Sequence, residues 1–169
     1  MIMFSIEKSL KCRDFSFCEK DLLFLYEIVK QRPRIDPNFK LPSYKEHVEY
    51  MSNFEKNYFR WLIISYNQID YAICYMSKKM ELSLLSNLDL DILNKNKKTI
   101  NLHIKKFMYE KVKYLIEDLN LKEFYAKSHK TNKIGINSLI NFHKKYIKDY
   151  YKIQTFNGED VVNFIFKKI

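Results

Sequence analysis

The apolar positions change period several times along the chain, and each change marks an element. Leu10 to Phe15 alternates as a strand does. Phe17 to Lys30 then repeats as a helix, with Leu22, Leu25, Tyr26 and Val29 at i, i+3, i+4 and i+7. Arg32-Pro33 and Asp36-Pro37 end it, because a residue before proline is driven out of helical space. A second helix starts at Pro42-Ser43. Ser43 with Glu46 three residues on has the capping-box spacing, and Tyr44, Val48 and Met51 form its expected core side. Phe59 to Tyr66, Ile69 to Met76 and Met80 to Leu85 read as antiparallel strands turned at Asn67-Gln68 and Lys78-Lys79. Runs such as Trp61-Leu62-Ile63-Ile64 predict a sheet covered on both faces.

A polar linker follows from Ser86 to Lys98, holding Leu88, Leu90, Ile92 and Leu93. A long helix is predicted from Thr99 to Leu119, burying Ile100, Ile104, Phe107, Met108, Val112, Leu115 and Ile116. Glu123 to Ser128 reads as a strand and Asn137 to Tyr146 as a helix. Tyr150 to Phe156 and Val161 to Lys167 close as a hairpin through Asn157-Gly158. No repeat or linker divides the chain, so residues 1–169 are expected to form one domain. The expected class is α/β (α+β): a mixed, mostly antiparallel central sheet flanked by helices, in the order β-α-α-β-β-β-α-β-α-β-β.

Composition narrows the function classes. A hydrophobic share of 47% and an aromatic share of 16% belong to a folded globule. No run of about 18 apolar residues exists to span a membrane. Met1 to Lys11 carries Glu7 and Lys8 where a signal peptide would be apolar, so a cytoplasmic location is expected. Cys12, Cys18 and Cys74 are odd in number and share no metal spacing, which makes them packing thiols. The net charge of +10 is almost all lysine, the arginines being Arg13, Arg32, Arg34 and Arg60. Lysine excess alone gives nonspecific attraction, whereas a reader of nucleic acid clusters arginine with base-contacting groups. Nucleic acid is therefore not an expected partner.

The element order, together with Leu41-Pro42-Ser43-Tyr44-Lys45-Glu46-His47-Val48-Glu49-Tyr50-Met51, Trp61-Leu62-Ile63-Ile64 and Ile69-Asp70-Tyr71-Ala72-Ile73, resembles the GNAT N-acyltransferases. The letters are nearest the branch that acetylates nucleotide-linked amino sugars. The resemblance implies an acetyl-CoA-dependent N-acetyltransferase acting on a primary amine of a small molecule, with no metal. Its alternative is a catalytically inactive GNAT-like binding protein that has lost CoA. An acyl carrier protein in place of CoA is a third donor option, and a monomer or homodimer is expected. The family's Gln/Arg-x-x-Gly-x-Gly/Ala phosphate loop would fall on Asn94, Lys95, Asn96, Lys97, Lys98 and Thr99, where no glycine remains. The stretch reads either as a lysine-based variant, with Asn96 in a left-handed turn and lysines meeting phosphates as point charges, or as a dead site.

The resemblance also makes Met80 to Leu85 the splayed strand whose backbone N–H polarises the thioester carbonyl, with Ser83 to Leu85 nearest the thioester and Glu81 as the carboxylate of that strand. Glu81 reads either as a base or as a solvated strand-edge charge. His47, one turn into the capped helix, is either a proton acceptor and substrate contact or a packing histidine. Arg34 and Lys40 could hold an anionic acceptor or be solvated loop charges. Tyr44, Tyr50, Phe54, Tyr58, Phe59 and Trp61 could stack on a base or sugar, or fill the core. The family's proton-donating tyrosine falls on Phe142, so His143 and Tyr146 are the candidates to take its place. His103, His129 and His143 share no metal spacing with His47 and read as structural, the alternative for His143 to the proton-donor role.

Overall fold

Asn67 and Gln68 both take positive φ, 48° and 65°. That pair of left-handed residues suits the twist of two flanking strands. It folds Tyr58–Tyr66 (β2) back on Ile69–Ser77 (β3). The computed structural model describes residues 9–34, 36, 38–86 and 97–169, the first five of the last stretch by backbone alone. Leu10–Asp14 (β1) pairs antiparallel with β2, and Leu82–Ser86 (β4) with β3, giving the sheet order β1-β2-β3-β4. Met80 sits at φ 60°, inside the turn, so β4 begins at Leu82 rather than at Met80.

Helices Glu19–Val29 (α1) and Tyr44–Met51 (α2) cover one face of this sheet. Their Leu22, Leu25, Ile28 and Met51 pack with Phe15, Trp61, Ile63, Ile73 and Tyr75. The capping box forms as its spacing predicts: Ser43 Oγ accepts from the Glu46 N–H at 3.3 Å, and the Glu46 carboxylate accepts from the Ser43 N–H at 2.7 Å. The buried side of α2 is wider than Tyr44, Val48 and Met51. His47 is buried with Met51, while Tyr44 and Val48 are half-buried. A single turn, Phe54–Asn57 (α3), leads into β2 and has no counterpart in the sequence reading. The opposite face lies under Lys97–Asp118 (α4), which sets Ile104, Met108, Val112, Leu115 and Ile116 against Leu62, Ile64, Ala72, Cys74, Met76 and Leu82. The sheet is covered on both faces, as its continuous apolar strands predict.

Glu123–His129 (β5), Tyr151–Asn157 (β6) and Val161–Lys168 (β7) make a second antiparallel sheet, ordered β5-β7-β6. One face buries Phe124, Ala126, Tyr151, Phe164 and Phe166 in the core shared with α4 and Lys133–Phe142 (α5). The α5 helix starts four residues before the Asn137 that periodicity suggests, because the Asn132 side chain accepts from the Gly135 N–H at 2.9 Å and caps it there. It passes into a π turn, His143–Ile147. Among the described residues the two sheets are joined by main-chain bonding at one place. Tyr125 N–H donates to Met80 O at 2.7 Å, and Glu81 bridges Tyr125 in parallel. Among the described residues no further rung joins β4 to β5, so the strands part beyond Leu82. Among those residues no helix is long and apolar enough to cross a membrane.

Candidate active site

The parting of β4 from β5 leaves main-chain groups without strand partners. Along an antiparallel pair, residues point their N–H and C=O alternately toward and away from the neighbour. Ser77 N–H donates to Glu81 O at 2.9 Å, so Glu81 points toward β3, and in the same register Ser83 and Leu85 do too. Leu82, Leu84 and Ser86 therefore point toward β5. Leu82 lies beside the bridge, and Leu84 is the first residue past it. The Leu84 N–H is thus the donor that the V between the sheets presents. Leu84 is the middle of the stretch Ser83 to Leu85 expected beside the thioester, and its neighbours Ser83 and Leu85 spend their main chain on β3. Leu85 packs against the α1–α2 core.

The side chains flanking this point follow from strand alternation. Glu81, Ser83 and Leu85 lie on the α1–α2 side of β4. The parallel bridge puts Tyr125, Lys127 and His129 on the same side of β5. That phase continues through Val161, Asn163, Ile165 and Lys167 on β7 to Lys152, Gln154 and Phe156 on β6. Here α1 and α2 do not cover the sheet: Tyr125 and Phe156 are exposed, and Asn163 and Ile165 are half-exposed. Lys127 reaches Glu81 at 3.2 Å, Lys167 reaches Glu123 at 3.3 Å, and the Tyr125 hydroxyl also donates to Glu123. At the end of β5 the His129 Nδ1 accepts from the Thr131 N–H at 3.3 Å and meets the Thr131 hydroxyl at 2.7 Å, so its Nε2 carries the hydrogen of the neutral ring. Alternation in Glu123 to Ser128 marks Tyr125 and Lys127 as outward-facing, but nothing in the sequence places them opposite β4.

Helix α4 begins at Lys97, two residues before the Thr99 start read from its pattern. Its far end, Asp118, lies 3.8 Å from Arg60 beside the start of β4, so its own start lies toward the end where the strands part. Its first-turn N–H groups and dipole face any anion bound there. Asn94, Lys95 and Asn96 lie outside the described residues, and Lys97, Lys98 and Thr99 are placed by backbone alone.

The remaining candidates are scattered. Glu81 stands where the strands still touch, paired with Lys127, rather than at the opening. His47 is 5% exposed, tilted against the Tyr26 ring with centroids 5.4 Å apart, and burial holds its pKa below the ordinary value. Its burial against Tyr26 fits the packing alternative. His143 Nε2 is 2.7 Å from the Tyr151 carbonyl, which can only accept, so that nitrogen carries a proton committed to holding β6. Phe142 is fully buried between the rings of Tyr109 and Tyr146, at 5.5 and 6.1 Å. Tyr146 is half-buried beside Tyr109, and burial raises its pKa, with Glu110 adding to the effect. Arg34 and Lys40 are exposed on the α1–α2 connection, Arg34 in the one-turn helix Arg32–Arg34. Trp61 stacks on Tyr75 at 4.1 Å with Tyr58 edge-on at 4.9 Å, so these aromatics are core. No cluster of metal-ligating side chains exists among the described residues.

No protein-family model matches the sequence, and no curated protein is similar enough in sequence to match it. Solved structures do match in shape. The N-acetyltransferase PseH of Campylobacter jejuni superposes with a TM-score of 0.61 over 95% of this chain and 99% of that one, at 13% identity. A chimera of the Vibrio cholerae spermidine N-acetyltransferase SpeG with hSSAT gives 0.66 over 95% of each chain, at 12% identity. A GNAT-family acetyltransferase of Bacillus anthracis gives 0.60 over 94% and 93%, at 12% identity. At such identities the likeness is one of shape, and with the parted β4 and β5 strands it establishes that this chain has the fold of the GNAT N-acetyltransferases.

Proposed function

We propose that the chain transfers an acyl group from a CoA thioester, acetyl-CoA foremost, to the primary amine of a small anionic acceptor such as a nucleotide-linked amino sugar. The observation that carries this reading is the parting of β4 from β5 after a single bridge. It leaves the Leu84 N–H aimed into the gap, where a hydrogen bond to a carbonyl oxygen would stabilise the charge that develops on amine attack. Acetyl-CoA would supply the activated carbonyl, and the start of α4 with Lys97 and Lys98 would hold its phosphates. The uncovered face of the second sheet would orient the acceptor.

The charge on that face bears on the acceptor, since the SpeG members of the similar structures are spermidine N-acetyltransferases. Its acids Glu81 and Glu123 are already bonded to Lys127 and Lys167. Lys152 has no acid partner among the described residues. A polyamine would find no available carboxylate there, whereas a diphosphate would find ammonium groups and the Tyr125 and Phe156 rings. The placements of Phe142, His47 and His143 favour a second reading, a binding protein without turnover, because none of them offers a proton at the opening.

Calorimetry with acetyl-CoA tests both. One-to-one binding that weakens at least about tenfold in Lys97→Glu/Lys98→Glu, about 1.4 kcal/mol, supports the donor site. Thiol release with nucleotide amino sugars but not with spermidine then supports the acceptor. Binding without thiol release favours the second reading, and absence of binding rejects CoA as the donor.

A further inference from the structure

We propose that the α1–α2 pair is a clamp released by acid, with His47 as its latch. The imidazole lies on the buried side of α2 between that helix and α1 and is 5% exposed. Its Nε2 is sealed from solvent and has no hydrogen-bond partner. A neutral ring tolerates this arrangement at modest cost, with the Leu22 backbone beside it as a hydrogen-bond partner. An imidazolium must place a second N–H in the same sealed space, where neither water nor a carboxylate meets it.

The groups around the ring leave it no counter-ion. From α1 it faces Tyr26, whose hydroxyl donates to the Pro42 carbonyl at 2.9 Å, and from its own helix Tyr44 stands behind Tyr26, with ring centroids 5.3 Å apart. The acids of the two helices are engaged elsewhere: Asp21 with Arg13, Glu27 with Lys30, Glu46 with the Ser43 cap and Glu49 with Lys45. Glu19 lies exposed in the first turn of α1. Burial accordingly depresses the imidazole pKa, and no charged side chain contributes to the shift. The sign follows from linkage. An opened clamp binds the proton with an ordinary pKa near 6.5, and the closed clamp binds it less well. Closure is therefore fully favoured above that value and weakens as pH falls from it toward the lower closed-state pKa. The opening equilibrium should rise by up to about tenfold per pH unit across that window. Opening lifts α2 off Trp61, Ile63 and Tyr75, the floor it shares with α1.

Amide hydrogen exchange of the peptide 41–53, corrected for intrinsic rates, tests this between pH 7.5 and 5. In the wild type its opening should increase as pH falls below about 6.5, by no more than about tenfold per pH unit, while the β5 and β7 peptides stay protected. In His47→Gln, which never charges, the increase should vanish. A wild-type peptide whose corrected opening does not change over this range overturns the proposal, as does a rise that persists in His47→Gln. If that variant does not fold, the wild-type imidazole resonances decide. A His47 that titrates near 6.5 with α2 undisturbed overturns the clamp, and one that titrates only well below that value, together with loss of α2 protection, supports it. Neither readout depends on the proposed acyl transfer.

Discussion

Gly135 is one of two glycines in the chain, and its missing side chain is a packing requirement. A Cβ there would lie 2.4 Å from Asn132 Nδ2 and 2.7 Å from Ser128 Oγ, closer than real contacts permit. Relief would move the Asn132 side chain, which caps α5 through the same residue's N–H. Gly135→Ala is therefore expected to lose about 1–2 kcal/mol, the cost of a cap or of mild overpacking, measurable by urea unfolding. In sequence that glycine reads as a reason to start the helix later, since glycine disfavours helix interiors. Only the contact with Ser128, from a different element, shows why it is tolerated. Glu81 argues the same way from the opposite direction. It is the carboxylate beside β4, so sequence reading offers it as a base, yet it is held by Lys127 where the strands still touch. Glu81→Gln should leave kcat within about threefold, against the roughly hundredfold or greater loss typical of a general base. A pH–rate profile unchanged in shape would accompany it.

Between elements, the strongest polar tie is Arg13, which joins β1 to the start of α1 and to the β2–β3 hairpin. Its guanidinium donates to both oxygens of Asp21 at 2.7 Å and to Asp70 at 2.8 Å, and the Ser65 hydroxyl also donates to Asp70 at 2.7 Å. Asp21 is 1% exposed, so removing its partner leaves a buried charge. Arg13→Ala should cost about 2–3 kcal/mol, less than a fully buried pair because the arginine remains one-third open to water. Burial alone would raise the Asp21 carboxyl, but its bonds from Arg13 and Ser16 outweigh that and hold it below the usual carboxylate value. A depressed carboxylate contributes stability above its unfolded pKa, near 3.9, and loses it as pH falls through the folded value. Acid unfolding followed by Trp61 fluorescence should therefore show a global transition below about pH 4, distinct from the α2 event at higher pH. In Arg13→Ala that transition should move to higher pH. None of these partners is visible in sequence, because Arg13, Asp21 and Asp70 are joined by the fold and not by spacing.

Across the whole molecule, charge sorts by face in a way that the net value of +10 hides. The open face of the β5-β7-β6 sheet pairs off its acids and keeps Lys152 beside Gln154 and Phe156. Lys152→Glu should raise KM for a nucleotide-linked acceptor about threefold to tenfold, consistent with loss of one exposed charge contact and reversal of its sign. The acetyl-CoA Kd should stay unchanged, which separates the acceptor face from the α4 terminus. The order of strands and longer helices, though not the single turn α3, the turn at Asn67-Gln68, the capping box at Ser43 and the doubly covered strands are determined by the sequence locally, since period, propensity and capping act within a few residues. The tertiary structure alone decided where β4 and β5 part, which residue of the stretch Ser83 to Leu85 presents the open N–H, and that His47 faces inward. Those outcomes depend on which way a strand's main chain points once its neighbour is chosen, and on which helix lies over which side chain. Such relations arise between segments distant in the chain, so the periodicity of any one segment cannot contain them.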